Sequence, residues 1–240
     1  MNTVPPTRYT SSTHAAARFI AQRGMLKPLV WRLTRTSVLG REHIDALPEG
    51  RPFVVAGNHA SHLDAPLIMG AMPWRYGRYL AAAAAADYFF DVRWRRSLTA
   101  LFFNAFPVDR RGTRVYGGMA TTLLDAGVPL LVFPEGTRSA SGDMGTFKSG
   151  TAALCLSHQV PVLPVAVAGA HEAMPRGRNW VVPGRPAVAV VFGEPMIPTP
   201  EDTAREFTQR LTKEVRTLHD QGTNHLSGPA PSAPPHLEEE

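Results

Sequence analysis

The sequence predicts an α/β fold, in which a mainly parallel central sheet is flanked by helices and preceded by a short N-terminal helical membrane-association segment. From residue 51 onward, short β-branched or apolar runs alternate with helical patterns, which is typical of a parallel sheet covered by helices. The first forty residues instead mix apolar and basic side chains. The chain has 240 residues, 44% hydrophobic and 19% charged, which suits one globular domain with short additions.

Short strands and helices account for this alternation. The predicted strands are Phe53 to Ala56, Tyr79 to Ala84, Leu130 to Phe133, Val162 to Ala168 and Ala187 to Phe192. The predicted helices include Arg114 to Ala126, Gly150 to His158 and Asp202 to Asp220. Alanines 81–86 favour a helix by propensity, which conflicts with the second strand. The predicted domain spans residues 41–220, and a Pro-, Ser-, Gly- and Glu-containing tail at 221–240 is expected to be disordered.

Residues 1–40 form a basic amphipathic segment that has the pattern expected of a helix pair at a membrane surface. No Asp or Glu precedes Glu42. Apolar residues recur at near-helical spacing with basic residues between them: Phe19, Ile20, Leu26, Leu29, Val30 and Leu33, with Arg18, Arg23, Lys27 and Arg32. Gly24 and Pro28 are expected to divide the segment into two short helices, and each basic residue would add about 1 kcal/mol near an anionic surface. An amphipathic helix packed on the domain and an organelle transit peptide are the alternatives.

The chain is expected to lie at the cytoplasmic face of a membrane, either peripherally or anchored in the interface. It contains no run of about 18 or more consecutive apolar residues and no match to a secretory signal. Its single cysteine, Cys155, excludes an intrachain disulfide and a Cys-rich zinc site, and it is expected to be a small buried hydrophobe in a reducing compartment.

The net charge of +5 predicts an anionic partner, which could be a lipid head group, nucleic acid or a phosphorylated substrate. Basic residues also dominate a second stretch: Arg75, Arg78, Arg93, Arg95, Arg96, Arg110, Arg111 and Arg114. The sequence has no helix-turn-helix, zinc-finger or aromatic RNA-binding pattern, so nucleic acid is not expected as a partner.

The first candidate site follows the first predicted strand, where a histidine, His59, stands five residues before an aspartate, Asp64. On one continuous helix this spacing would put the two side chains off a common face. A histidine on the strand-to-helix turn can instead meet an aspartate in the first helical turn. Asp64 would then fix the tautomer of His59, whose other nitrogen could accept a proton from an alcohol, as an imidazole with a pKa of about 6.5 can at neutral pH. The alternative is a capping box of Ser61 and Asp64, with His59 merely in the turn.

The second candidate site is Phe133-Pro134-Glu135-Gly136-Thr137-Arg138-Ser139, directly after a predicted strand. The glycine lets a backbone approach a ligand closely, and an arginine fork suits phosphate oxygens. Arg138, and after it Arg110, are therefore candidates for binding a phosphate. The alternative is a surface or fold-stabilising ion pair with Glu135 or Asp109.

Together these segments resemble the 1-acylglycerol-3-phosphate O-acyltransferase family of glycerolipid acyltransferases. The resemblance lies in Asn58-His59-x-Ser61-x-x-Asp64 followed by Phe-Pro-Glu-Gly-Thr-Arg, which are the two specific blocks. It extends to Phe106-Pro107-Val108-Asp109-Arg110 and to Val160-Pro161-Val162-Leu163-Pro164-Val165, so that four blocks follow the family's order between residues 58 and 165.

This resemblance implies an enzyme that transfers a fatty acyl group from acyl-CoA or acyl carrier protein to the hydroxyl of lysophosphatidate, giving phosphatidate. It implies that His59 and Asp64 are catalytic. The substrate-binding residues that it implies are Arg110, Glu135, Gly136, Thr137 and Arg138. No metal or bound cofactor is expected. The expected partners are a lysophospholipid, an acyl thioester, an anionic membrane surface and, where it is the donor, an acyl carrier protein.

Two other enzyme classes lack their motifs in this sequence, and two lipid-related alternatives stay open. The chain has neither the Gly-x-Ser-x-Gly elbow of a serine hydrolase nor a Gly-x4-Gly-Lys-Ser/Thr phosphate loop. An acyltransferase or transacylase that remodels another lysophospholipid, and a lipid-binding relative without catalysis, are the alternatives. Outside the motifs, Lys148 is expected to be exposed, Val162 and Leu163 to line the core or an acyl channel, and three histidines to be structural: His62, His158 and His171.

Overall fold

A single sheet organises the computed structural model, which describes residues 7–85, 93–108 and 117–228. Its seven strands lie in the order β1-β7-β6-β2-β5-β3-β4. The strands are β1 (Arg35–Leu39), β2 (Val54–Gly57), β3 (Ala81–Ala85), β4 (Phe106–Val108), β5 (Leu130–Val132), β6 (Val162–Ala168) and β7 (Ala187–Phe192). All neighbouring strands are parallel except β6 and β7, so the mainly parallel α/β prediction is confirmed.

Helices connect and cover these strands. In chain order they are α1 (Thr7–Thr10), α2 (Ser12–Phe19), a π-helical stretch (Ile20–Leu26), α3 (Lys27–Leu33), a 3-10 helix (Arg41–Ala46), α4 (Asp64–Ala71), α5 (Trp74–Gly77), α6 (Arg93–Phe103), α7 (Gly117–Asp125), α8 (Gly150–His158), α9 (Ala170–Ala173) and α10 (Ala204–Ser227). The longest, α10, begins at Ala204 because Thr203 and Glu206 form a capping box there.

Successive residues of the buried strands face two hydrophobic layers, one on each side of the sheet. In β6, Val165 and Val167 pack into one layer, while Ala166 and Ala168 pack into the other. Side chains of α3 and α4 complete the first layer, and those of α7, α8 and α10 complete the second. Burial on both faces explains why β6 is a continuous apolar run in the sequence.

The sequence located the central elements well and the peripheral ones less well. The predicted bounds of β6, β7 and α8 match those in the structure, and the ends of β2, β3 and β5 shift by one or two residues. Strands β1 and β4 were not predicted. The prediction of disorder from residue 221 is wrong for residues 221–227, because α10 continues through them to Ser227.

The N-terminal segment differs from the predicted pair of short helices. Helical structure runs without a break from Ser12 to Leu33, so Gly24 and Pro28 do not divide it. The residues before Pro28 widen into a π-helix, in which the Lys27 N–H donates to the Gln22 carbonyl. Such a widened turn accommodates the proline, which has no N–H and whose ring crowds the preceding turn of an α-helix.

Two of the basic residues expected to face a membrane point into the protein instead. Arg18 is buried and donates to the Arg78 carbonyl, while Arg23 donates to the carbonyls of Gly70 and Met72 at the end of α4. The positive charge of Arg23 suits the end of α4, because the C-terminus of a helix is partly negative. Burial lowers the pKa of Arg18 to about 10. The segment is therefore packed on the domain through its arginines.

The opposite side of the same segment is apolar and exposed. Phe19, Ile20, Met25 and Leu29 are between 44% and 67% exposed. The neighbouring helix α6 also exposes Trp94, Leu98 and Leu101 at helical spacing. No helix in the described parts of the chain is both long and apolar enough to cross a membrane.

Candidate active site

His59 and Asp64 meet at the carboxyl end of β2. The chain leaves β2 after Gly57, turns through residues 58–63, and enters α4 at Asp64. The His59 Nδ1 atom lies 2.8 Å from the Asp64 Oδ2 atom. Turn and helix thus bring together two side chains that a continuous helix would separate, as the sequence predicted.

The Asp64 carboxylate is fully buried and organises the whole 58–63 loop. Its Oδ2 atom accepts the N–H groups of Ala60 and Ser61, each at 2.8 Å, in addition to the imidazole of His59. The alternative capping box is only half present, because the Ser61 hydroxyl accepts from Leu63 and donates to the Met174 carbonyl. Three donors to one oxygen hold the carboxylate in a fixed position toward His59.

Asn58 fixes the start of the same loop. Its side-chain amide donates to the Val167 carbonyl at 3.0 Å and accepts the Val167 N–H at 2.8 Å. This pair of bonds continues the β2–β6 ladder by one step after β2 has ended. The contacts of Asn58 with Val167 and of Ser61 with Met174 were not predicted from the sequence, since both partners lie more than a hundred residues away.

The loop at residues 133–149, between β5 and α8, holds His59 from the other side. The buried Glu135 accepts the His59 N–H at Oε1, 2.7 Å away, and the Gly145 N–H at Oε2, 3.0 Å away. The Ser139 N–H donates to the His59 carbonyl at 2.7 Å. The His59 ring also stacks on Phe133, with ring centroids 4.1 Å apart. Backbone and ring of the histidine are therefore both fixed by this loop.

Burial raises the pKa of Glu135 above that of an ordinary glutamate, although the two backbone N–H donors oppose the shift. Glu135 does not line the cleft described next. Its position does not support the substrate-binding role that the resemblance implied.

A cleft of about 410 Å³ opens beside His59. One wall is apolar and small, built from the alanines of β3 together with Phe103, Val108 and Phe133. The other is polar and contains Gly136, Thr137 and Arg138 of the second motif. Val162 and Leu163 do not line it and belong to the two core layers. An imidazole, a guanidinium and an apolar channel thus share one cavity.

Gly136 adopts a positive φ of 74°, which favours glycine. A Cβ atom there would come within 2.8 Å of the Lys148 ammonium, so this lysine lies directly over the motif. Lys148 is exposed, as predicted. Arg110, the second candidate for binding a phosphate, lies outside the described residues.

The remaining candidates divide between the cleft and the rest of the domain. His62, predicted to be structural, lines the cleft. His158 pairs with Asp125 at 3.1 Å, away from the cleft, and His171 packs against Gly142. Cys155 is fully buried, as predicted, and burial raises the pKa of its thiol to about 12.

Comparisons with known proteins identify the family. A model of the Acyltransferase family matches residues 38–168. The 1-acyl-sn-glycerol-3-phosphate acyltransferase alpha of Bos taurus is 29% identical over 208 residues, which cover 81% of this chain and 69% of the relative. The enzyme of the same name from Mus musculus is 31% identical over 197 residues, covering 76% of this chain and 65% of the relative.

A solved structure is similar over most of the chain. The 1-acyl-sn-glycerophosphate (LPA) acyltransferase PlsC from Thermotoga maritima superposes with a TM-score of 0.70 at 27% identity, covering 90% of this chain and 83% of that one. Fold, cleft and similarity together define the class of the protein as an acyl-transferring enzyme. The chain belongs to the Acyltransferase family, whose model spans more than half of it.

Proposed function

We propose that this enzyme transfers a fatty acyl group from an acyl thioester, either acyl-CoA or acyl carrier protein, to the free hydroxyl of lysophosphatidate, giving phosphatidate. The observation that carries the proposal is the 2.8 Å contact between His59 Nδ1 and Asp64 Oδ2 in a cleft that also contains Arg138. The names of the relatives from Bos taurus and Mus musculus and of the Thermotoga maritima structure support the same reaction.

His59 acts as the general base. The contact with Asp64 keeps a proton on Nδ1 and leaves the lone pair of Nε2 to accept the hydroxyl proton of the acceptor. Asp64 also stabilises the imidazolium that forms. Because the loops at 58–63 and 133–149 fix both residues, little reorganisation is needed when the proton moves.

The acceptor oxygen attacks the thioester carbonyl as it loses its proton, forming a tetrahedral intermediate. When that intermediate collapses, the carbon–sulfur bond breaks and the thiolate leaves, taking the proton from the imidazolium directly or through solvent. The products are an ester and a free thiol, so the reaction needs no oxidant, reductant or hydrolysis. It is formulated without a metal or a bound cofactor.

Arg138 and Thr137 bind the acceptor phosphate in this proposal, which is supported by their position in the lining of the cleft beside His59. Gly136 gives the 133–149 loop the turn that positions them. We retain Arg110 as a further phosphate ligand on the strength of the family motif alone. The apolar wall of β3 suits the acyl chain.

The experiment is a thiol-release assay with purified protein, one acyl thioester and lysophosphatidate, with the product lipid identified by mass spectrometry. Replacing His59 by Ala is expected to lower kcat by about 10²- to 10⁴-fold, the usual contribution of a general base. Asp64→Asn should also lower kcat. Cys155 is buried, so the thiol reagent should not report the folded protein itself.

His158→Ala is the matched control, because His158 also pairs with an aspartate but lies outside the cleft. It should leave kcat within about twofold of the wild type. A His59→Ala protein that folds normally and keeps most of its activity would eliminate the mechanism. Lysophosphatidylcholine and lysophosphatidylethanolamine in the same assay test the alternative of a remodelling enzyme, and an inactive wild type favours a lipid-binding relative.

We also propose that the protein works at the surface of an anionic membrane, on its cytoplasmic face. Phe19, Ile20, Met25 and Leu29 give the N-terminal segment an exposed apolar side, which α6 extends with Trp94, Leu98 and Leu101. Two other side chains of α6, Thr99 and Phe103, line the cleft. The helix therefore joins the apolar surface to the site, and a lysolipid could pass along it without leaving the interface.

A further inference from the structure

An arginine outside the family motifs lines the same cleft as His59. Arg176 lies in the loop at residues 174–186, between α9 and β7, and contributes to the cleft together with Met174 and Asn179. It falls beyond residues 38–168, which the family model matches. No motif in the sequence includes this arginine.

The Arg176 side chain lies against the second motif. Its Nη1 atom donates to the carbonyl oxygen of Arg138 at 3.4 Å, a long hydrogen bond that places the two residues side by side. The loop that carries Arg176 is itself tied to the catalytic turn, because the Met174 carbonyl accepts the Ser61 hydroxyl at 2.8 Å. Arg176 therefore lies beside Arg138 and lines the same cleft as His59, although it comes from a different loop.

No carboxylate lies within ion-pair distance of Arg176 in the parts of the chain that the structure describes. Arg75 and Arg210, by contrast, are paired with Asp45 and Asp202. Most N–H donors of the Arg176 guanidinium therefore remain available to a ligand in the cleft. The planar, paired donors of a guanidinium suit phosphate oxygens.

We propose that Arg176 and Asn179 form a phosphate-binding subsite at the mouth of the cleft, next to Arg138. The inference rests on the proposed function, since its ligand is a phosphate carried by one of the two substrates. Either the acceptor phosphate bridges Arg138 and Arg176, or a phosphate of the thioester carrier binds Arg176 while the acceptor binds Arg138. The chemistry is the same in both cases, and kinetics separates them.

The test compares Arg176→Ala with Arg178→Ala, an exposed arginine on the same loop that does not line the cleft. Arg176→Ala should raise one KM about tenfold with kcat changed less than about threefold, because binding is lost rather than chemistry. A raised KM for lysophosphatidate identifies the acceptor phosphate, and a raised KM for the thioester identifies the carrier. Arg176→Lys should recover part of the loss, and Arg178→Ala should leave both constants unchanged.

Unchanged KM values for both substrates in Arg176→Ala would overturn the inference, as would an equal effect of Arg178→Ala. Thermal stabilisation by glycerol 3-phosphate gives a readout that does not depend on turnover. If the wild type does not acylate lysophosphatidate, the proposed function fails. The Arg176 subsite is then judged separately: Arg176→Ala should reduce the thermal stabilisation given by glycerol 3-phosphate or by coenzyme A, and unchanged stabilisation by both would overturn it.

Discussion

At the scale of single residues, Glu135 connects the two motifs. One oxygen of its carboxylate accepts the backbone N–H of His59, and the other accepts the backbone N–H of Gly145. It is a positioning residue, since it acts on the histidine backbone and does not line the cleft.

Glu135→Gln should test this role. A glutamine can accept one of the two N–H groups but presents an NH₂ group to the other, so we expect a loss of about 1–3 kcal/mol in the free energy of unfolding. We also expect kcat to fall by tenfold or more with little change in KM, because His59 would shift relative to the acceptor hydroxyl. Urea unfolding and steady-state kinetics measure the two effects, with the exposed Glu201→Gln as the control. A raised KM with an unchanged kcat would instead indicate that Glu135 binds substrate.

The pH dependence of stability follows from the direction of the same pKa shift. Burial raises the pKa of Glu135 above 4.5 in the folded protein, so the folded state holds this proton more tightly than the unfolded chain does. The stabilisation from Glu135 is complete below pH 4.5 and is lost as the pH rises through the folded value. The difference in unfolding free energy between wild type and Glu135→Gln should therefore shift in favour of the wild type as the pH falls from 7 toward 4.5. If the difference in unfolding free energy stayed constant, or shifted in favour of Glu135→Gln as the pH falls, the raised pKa of Glu135 would be contradicted.

The residues of the site were predictable to different degrees. His59 and Asp64 are five positions apart, so their contact follows from a turn and one helical turn. The contact between Glu135 and His59 spans 76 positions and depends on β2 and β5 being neighbours in the sheet. A strand order of that kind is a property of the whole fold, which local spacing does not encode.

At the scale of elements, β3 shows how packing overrides propensity. Its five residues are all alanine, which favours a helix by itself. The strand forms because β4 and β5 pair with it on both sides and because small side chains fit between the sheet and the helices. Ala82, Ala83, Ala84 and Ala85 also line the cleft, so their size sets the width of one wall.

Ala83→Leu should narrow the cleft at the half-buried position of β3. A larger side chain there removes volume from the apolar channel, so we expect kcat/KM for long-chain thioesters to fall by about tenfold or more relative to short-chain ones. A series of donors of increasing chain length measures the shift, and Ala83→Ser, which adds little volume, is the control. Equal losses for all chain lengths would mean that the acyl chain binds elsewhere.

At the scale of the whole molecule, the exposed apolar side of the N-terminal segment predicts where the protein meets a membrane. Ile20 is 67% exposed on that side, and Ile197 is 70% exposed in the loop after β7, so the two isoleucines form a matched pair. Ile20→Glu should weaken co-sedimentation with phosphatidylglycerol vesicles several-fold, since a carboxylate would have to approach an anionic surface. Ile197→Glu should have no effect.

Vesicles of phosphatidylcholine alone separate the contributions of charge and apolar contact. Weaker binding to them than to anionic vesicles is expected, because basic residues remain on the segment. Equal effects of Ile20→Glu and Ile197→Glu, or no vesicle binding by the wild type, would refute attachment through this surface. The N-terminal segment would then be an amphipathic helix that packs on the domain without binding a membrane.

The pairing of β1 with β7 has a consequence for biosynthesis. Arg35 is aligned with Ala187. Strand β1 therefore cannot pair with β7 until more than 150 further residues have left the ribosome. Contacts that distant form late during vectorial folding. The N-terminal helices, by contrast, pack on α4 and α6, which leave the ribosome well before β7, so this segment can dock on the domain before the β1–β7 pairing completes the sheet.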